Sequence, residues 1–188
     1  MKCDSVLGGS VYPAWHPRQP WVVFSSNKTG QAFRLNNAQK VEVVDYDSDL
    51  LFYDVQRNKL SNVFRTPAVM ETFPAWAPDG SRLYYCAAPF PKFDTMSDSA
   101  RLSDDARQDA VLDAYREVRY NVTSVPFDAR TRTFGTPRLE VDCRTMGKSG
   151  TLPRISPDGR YLLITLGDFG QFHIWHKSSD LWVKDLKT

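Results

Sequence analysis

The residues of this 188-residue chain that could do chemistry are few, and their spacing argues mostly against it. His173 and His176 are two of only three histidines. A spacing of three along an extended segment points such side chains to opposite sides, so they do not form one metal site. His16 stands beside Pro17 and is expected to pack at a corner. Asp45-Tyr46-Asp47-Ser48-Asp49 opens like a calcium-binding EF-hand loop, but Leu50 occupies the position of the sharp-turn glycine and Gln56 that of the bidentate glutamate. Gly147-Lys148-Ser149 has the end of a phosphate loop, with Asp142 in place of its first glycine. The same stretch fails as a nucleophile elbow because Thr151 stands where glycine is required. Cys3, Cys86 and Cys143 lack the C-x-x-C spacing of a zinc or thioredoxin site. Cys86 lies in an apolar segment as a small buried hydrophobe, and a bridge from it to Cys143 has no sequence support. No catalytic residue, metal or cofactor is therefore expected.

Composition points the same way. The net charge is +2, from 24 basic and 22 acidic residues that are interspersed, so no large single-sign field exists to attract nucleic acid. No run approaches the roughly 18 apolar residues of a membrane-spanning helix, and the first ten residues lack the apolar core of an export signal, which for an exported protein is expected upstream.

The elements that must position any site come from an internal repeat. Phe73-Pro74-Ala75-Trp76-Ala77-Pro78-Asp79-Gly80 runs into an apolar strand, and related segments start at Tyr12 and at Leu152. Each copy reads as a strand, a tight turn and a second strand, so the chain is an all-β repeat protein. In Pro78-Asp79-Gly80 and Pro157-Asp158-Gly159, proline fixes φ, aspartate bonds back to the turn backbone and glycine accepts positive φ. The first copy has Pro17-Arg18-Gln19-Pro20 instead and must turn differently.

Strands A are expected near 11–16, 72–77 and 152–156, strands B at 21–26, 82–87 and 161–166, and strands C at 49–55, 119–127 and 180–186. The C strands share an echo, Ser48-Asp49-Leu50 against Ser179-Asp180-Leu181. Repeat spacings exceed the roughly 40–45 residues of a four-stranded blade, and the excess follows strand B each time, at 27–48, 88–118 and 167–179. The middle insertion is expected to hold a helix near 103–117, with Ala106, Ala110, Val111, Ala114 and Tyr115 as its apolar stripe. Up-and-down strands place every B-to-C connection on one side, so the three insertions share a rim where binding groups concentrate.

The Pro-Asp-Gly turn followed by an apolar strand resembles the WD40-like, or TolB-like, β-propeller repeat of bacterial envelope proteins, over most of the chain. The segments from Ser25 to Phe33 and from Phe172 to Lys177 are similar to a group of exported TolB-like proteins sometimes linked to cytochrome c biogenesis, some with a haem-attachment motif that this sequence lacks. The resemblance implies an incomplete β-propeller of about three consecutive blades with one short helical insertion. Blade units fall near 11–66, 72–142 and 152–188. Remaining blades are expected from missing sequence or from another chain.

It implies a non-catalytic scaffold of the periplasm or outer envelope that binds a protein or peptide. The alternatives are an accessory propeller of a peptidase-type enzyme or of a c-type cytochrome-related redox protein. Candidate partner contacts, chosen by position on the insertion side, are Lys28, Gln31, Phe33, Gln171, His173, Trp175 and His176. Gly30-Gln31-Ala32-Phe33 and Gly170-Gln171-Phe172 suggest that the first and third excursions begin alike. Trp15 and Trp76 occupy equivalent repeat positions and are expected to pack between repeats rather than form a binding platform.

Overall fold

A computed structural model describes residues 9–27, 31–35, 41–45, 47–64, 66, 68–91, 105–170, 176 and 178–187, with backbone alone at 31–35, 41–43, 45 and 105–108. Its strands form antiparallel sheets that stand side by side as blades. The first contains β1 (Ser10–Trp15) and β2 (Trp21–Asn27), then, after a hairpin of β3 (Gln31–Leu35) and β4 (Val41–Asp45), β5 (Ser48–Asp54) and β6 (Lys59–Asn62), in the order β1-β2-β5-β6. The second runs β7 (Val69–Trp76), β8 (Arg82–Pro89) and β9 (Asn121–Asp128). Its outer strand is split into β10 (Thr133–Phe134) and β11 (Arg138–Val141), both paired with β9. The third has β12 (Ser149–Ile155), β13 (Tyr161–Gly167) and β14 (Asp180–Asp185).

Every inner strand carries the same bulge. Tyr12, Phe73 and Leu152 have φ of 55°, 55° and 50°, and ladder pairing skips one residue at each. The next residue is proline in all three copies, which has no N–H to leave unpaired where the ladder is interrupted. The corners then close alike, with the N–H groups of His16, Ala77 and Ser156 donating to the carbonyls of Trp21, Arg82 and Tyr161. Even the glycine-free first turn keeps that bond.

Two cores lie between blades. Trp21, Val23, Leu50 and Phe52 of the first blade meet Trp76, Leu83, Tyr85, Val125 and Phe127 of the second. Tyr84, Cys86 and Val122 of the second meet Leu162, Ile164 and Leu166 of the third. This follows from period-two alternation, since each strand sends alternate side chains to opposite neighbours. Cys86 and Cys143 are buried free thiols, and burial raises the pKa of both, Cys143 to about 11.

Two expectations need correcting. Trp76 is buried, but Trp15 at the equivalent position is 63% exposed, because no described sheet lies against that side of β1. On α1 (Asp105–Tyr115), Ala110 faces solvent, and the buried stripe is Val111, Leu112 and Tyr115, continued by Val118 beyond the helix. Large side chains decide which helical face is buried, and the alanines mark it poorly.

Candidate functional site

The three excursions meet. The chain leaves β2, β8 and β13 at the same end of their sheets, and α1 from the second excursion packs against the β3–β4 hairpin of the first. Val44 of β4 is buried in one cluster with Val111, Leu112, Tyr115 and Met70. The third excursion closes on the C-terminal end of the helix. The Arg116 guanidinium lies 5.6 Å from the Phe169 ring centre, and the Phe169 and His176 rings are 4.5 Å apart. Gly170 lies so close to Val118 that an added Cβ would sit 2.7 Å from its Cγ1. Arg119 Nη1 donates to the carbonyls of Arg116 and Val118 at 2.6 and 3.0 Å, satisfying acceptors just beyond the helix end.

Of the predicted contacts, His176 is at this rim, its Nδ1 accepting from the Asp168 N–H at 3.4 Å. Gln31 and Phe33 fall on β3 with their side chains outside the described part, and Lys28, Gln171, His173 and Trp175 lie outside the described residues. Position alone had not singled out a groove of about 300 Å3 at the C-terminal end of α1, lined by Pro89, Phe90, Pro91, Ala114, Val118, Glu117, Arg119 and Arg144. Its sequence signal is the Pro89-Phe90-Pro91 exit from β8, an apolar stop with two prolines where the strand ends. Asp168 pairs with Lys148 at 2.8 Å, which lowers the Asp168 pKa and raises that of Lys148. Gly147-Lys148-Ser149 is thus a connection into β12, with Ser149 Oγ accepting from the Tyr120 N–H at 3.0 Å.

Among the described residues, no group of three or more His, Cys, Asp or Glu side chains is placed to hold a metal ion. No described helix is long and apolar enough to cross a membrane.

A second concavity lies along the inner strands. Tyr12, Phe73 and Leu152, the three bulge residues, line a groove of about 340 Å3 with Trp15, Trp76 and Ile155. The positive-φ bulge puts each of them there. Tyr12 and Phe73 have ring centres 4.6 Å apart.

Polar ties hold the blades in register. Between the second and third, buried Glu140 accepts from Ser124 Oγ at 2.6 Å and Arg138 Nη2 at 2.7 Å, while Lys184 Nζ reaches the Glu140 carbonyl at 2.7 Å. Burial alone would raise the Glu140 pKa, but these hydrogen bonds and the Arg138 and Lys184 charges outweigh it and hold the carboxyl below its usual 4.5. Between the first and second blades, His16 stands among the rings of Trp21, Trp76 and Phe127.

No protein-family model and no curated protein sequence matches the chain. Solved structures do. The putative TolB from Agrobacterium tumefaciens superposes with a TM-score of 0.52 at 10% identity, covering 97% of this chain and 47% of its own. The chain has a TolB-like β-propeller fold. It spans about half the length of that structure. TolB from Acinetobacter baumannii aligns at 13% identity and a TM-score of 0.46, over 95% of this chain and 30% of its own. The β-propeller domain of the Trilobed protease from Pyrococcus furiosus aligns at 12% and 0.44, over 95% and 39%. At 10% identity, the likeness to the Agrobacterium tumefaciens structure shows the fold alone and leaves the ligand open. These structures lend no support to a cytochrome c association.

Proposed function

We propose that this chain is a non-catalytic TolB-like propeller scaffold of the bacterial cell envelope that binds a protein or peptide partner through its insertion rim. The observation that carries this reading is the packing of all three excursions into one surface, with α1 between the β3–β4 hairpin and the Phe169–His176 pair. Elaborated loops on a rigid β scaffold are where recognition concentrates. The Phe90–Val118 groove beside them offers an apolar floor with Arg119 and Arg144 against the single carboxylate of Glu117 at its edge, a composition suited to an acidic, partly apolar segment. Lys28, Gln31, Phe33, Gln171, His173, Trp175 and His176 are the proposed contacts. Further blades, from a longer chain or a second one, complete the ring.

The test is affinity capture from envelope extract with the wild type and with Trp175→Ala/His176→Ala and Arg119→Ser/Arg144→Ser variants, each first shown to melt like the wild type. A partner retained by the wild type and lost by both rim variants, but kept by a corner variant such as Arg18→Ser, supports the rim. An unchanged set of captured proteins would remove it.

A further inference from the structure

On the outer side of the first two blades, β5, β6 and the β9–β10 turn enclose a pocket of about 440 Å3, within the range of small-molecule sites. It belongs to neither the insertion rim nor the inner groove. Its floor is apolar, formed by Phe52, Val63 and Phe134, and its wall carries Arg57, Lys59 and Arg132 against the single carboxylate of Asp54. Three cations around one anion leave an uncompensated positive charge.

Arg132 is the unusual residue. It sits in the β9–β10 turn with φ of 58°, and the equivalent β5–β6 turn places Asn58 there with φ of 49°. Asparagine tolerates the left-handed region, whereas for arginine it costs about 1–2 kcal/mol. Turn geometry therefore does not explain an arginine at this position, and its side chain must. The guanidinium stacks over the Trp21 ring at 5.2 Å, and Nε lies 3.1 Å from Asp54 Oδ2. Yet neither of these buried atoms completes a hydrogen bond, the ion-pair contact being out of line. Asp54 Oδ1 is already used by the Arg57 N–H at 3.2 Å. Arg57 Nε also lies 3.9 Å from Asp54 Oδ2, whereas Lys59 has no ion-pair partner among the described residues.

An arginine held over an aromatic ring at the pocket wall, beside a lysine with no ion-pair partner among the described residues and over an apolar floor, has the layout of a carboxylate site. We infer that this pocket binds a carboxylate carrying an apolar group, as presented by the free C-terminus of a peptide ending in a hydrophobic residue or by a small aromatic acid. The apolar group lies on Phe52 and Phe134, and the carboxylate meets Arg132 and Lys59.

The experiment is calorimetric titration of the protein with N-acetyl-L-phenylalanine, its uncharged amide, and the peptide Gly-Gly-Phe as free acid and as amide. The expected result is saturable binding of an acid at least about tenfold tighter than the matching amide, as for a hydrogen-bonded charge. Binding should weaken with added salt, and Arg57→Gln/Lys59→Gln should lose about tenfold in affinity with an unchanged melting temperature. Tighter binding of the peptide acid assigns the site to a chain terminus, and tighter binding of the free acid to a small molecule. Arg132→Asn, which suits the turn, should abolish binding in either case. The inference is overturned by an absence of saturable binding, by equal binding of acid and amide, or by full affinity in the folded Arg57→Gln/Lys59→Gln variant.

Discussion

His16 occupies a corner position filled by Ala77 and Ser156 in the other two blades, and its ring fills the space that their smaller side chains leave open. The Arg18 N–H donates to Nδ1 at 3.2 Å, so the neutral ring carries its proton on Nε2 and donates to the Gly80 carbonyl, also at 3.2 Å. A second proton would turn Nδ1 from acceptor to donor against that N–H. Burial lowers the His16 pKa from 6.5, opposed in part by the Gly80 hydrogen bond. Because the folded pKa is the lower one, the unfolded chain binds more protons in the window beneath 6.5. The contribution of His16 is thus complete above that pH and is lost as pH falls toward the folded value. Urea midpoints at pH 7.5 and 5.5 should differ less in His16→Phe than in the wild type, with the variant about 1–3 kcal/mol less stable at the higher pH because the Gly80 carbonyl loses its donor. An identical pH dependence in the two proteins would disprove the linkage. The corner role of this histidine was legible from its place before Pro17, but its partner 64 residues away was not, because that contact exists only once two blades pack.

At the scale of elements, the Pro-Asp-Gly hairpins were readable because each residue has a local reason to be there. Asp79 Oδ1 accepts from the Ser81 N–H at 2.9 Å and Asp158 Oδ1 from the Arg160 N–H at 3.0 Å, while Gly80 and Gly159 adopt φ of 76° and 71°. The outermost strands left no such trace. β6 is four residues of mostly exposed Lys59-Leu60-Ser61-Asn62, and Gly135-Thr136-Pro137 interrupts β10 and β11. Edge strands of this kind are selected to be short and polar, which removes the alternation that reveals a strand. The β3–β4 hairpin was read only as an excursion, since it packs against α1, a distant segment. The two corner glycines allow a paired comparison. Gly159 has no neighbour within 4 Å of an added Cβ, so Gly159→Ala should cost only the left-handed backbone penalty of about 1–2 kcal/mol. At Gly80 that Cβ would fall 2.4 Å from His16 Nε2, so Gly80→Ala should cost more, by about 1 kcal/mol or above, as the imidazole is displaced. Equal unfolding free energies for the two variants would contradict the His16 contact, and Gly80→Ala in a His16→Ser background should fall back to the cost seen at Gly159.

The whole molecule is a set of quasi-equivalent interfaces, and among the described residues the forward face of the third blade is left uncovered. Strand positions that face forward in the first blade, Leu50 and Phe52, are 1% and 4% exposed beneath the second blade. Their counterparts by ladder register are Leu181 and Val183 of β14, and these are 69% and 58% exposed. The sequence echo between β5 and β14 made the strand predictable, while the difference in burial arises because no described sheet covers the forward face of the third blade. Among the described residues β14 pairs only with β13, leaving an edge of six residues next to that apolar face. Such a strand is a template for another, and covering each large apolar side chain is worth about 1.5–3 kcal/mol. The 188-residue chain studied alone is therefore expected to self-associate through this face, whereas a longer chain that supplies a further blade would not. Light scattering after size-exclusion chromatography should show assemblies for the wild type and a shift toward monomer for Leu181→Lys/Val183→Lys. Thermal melting of the variant at low protein concentration should match the wild type within about 0.5 kcal/mol, since exposed positions contribute little to the isolated fold. A wild-type chain that stays monomeric at high concentration, or a double variant that still associates, would show that the forward face of the third blade is not an interface in waiting.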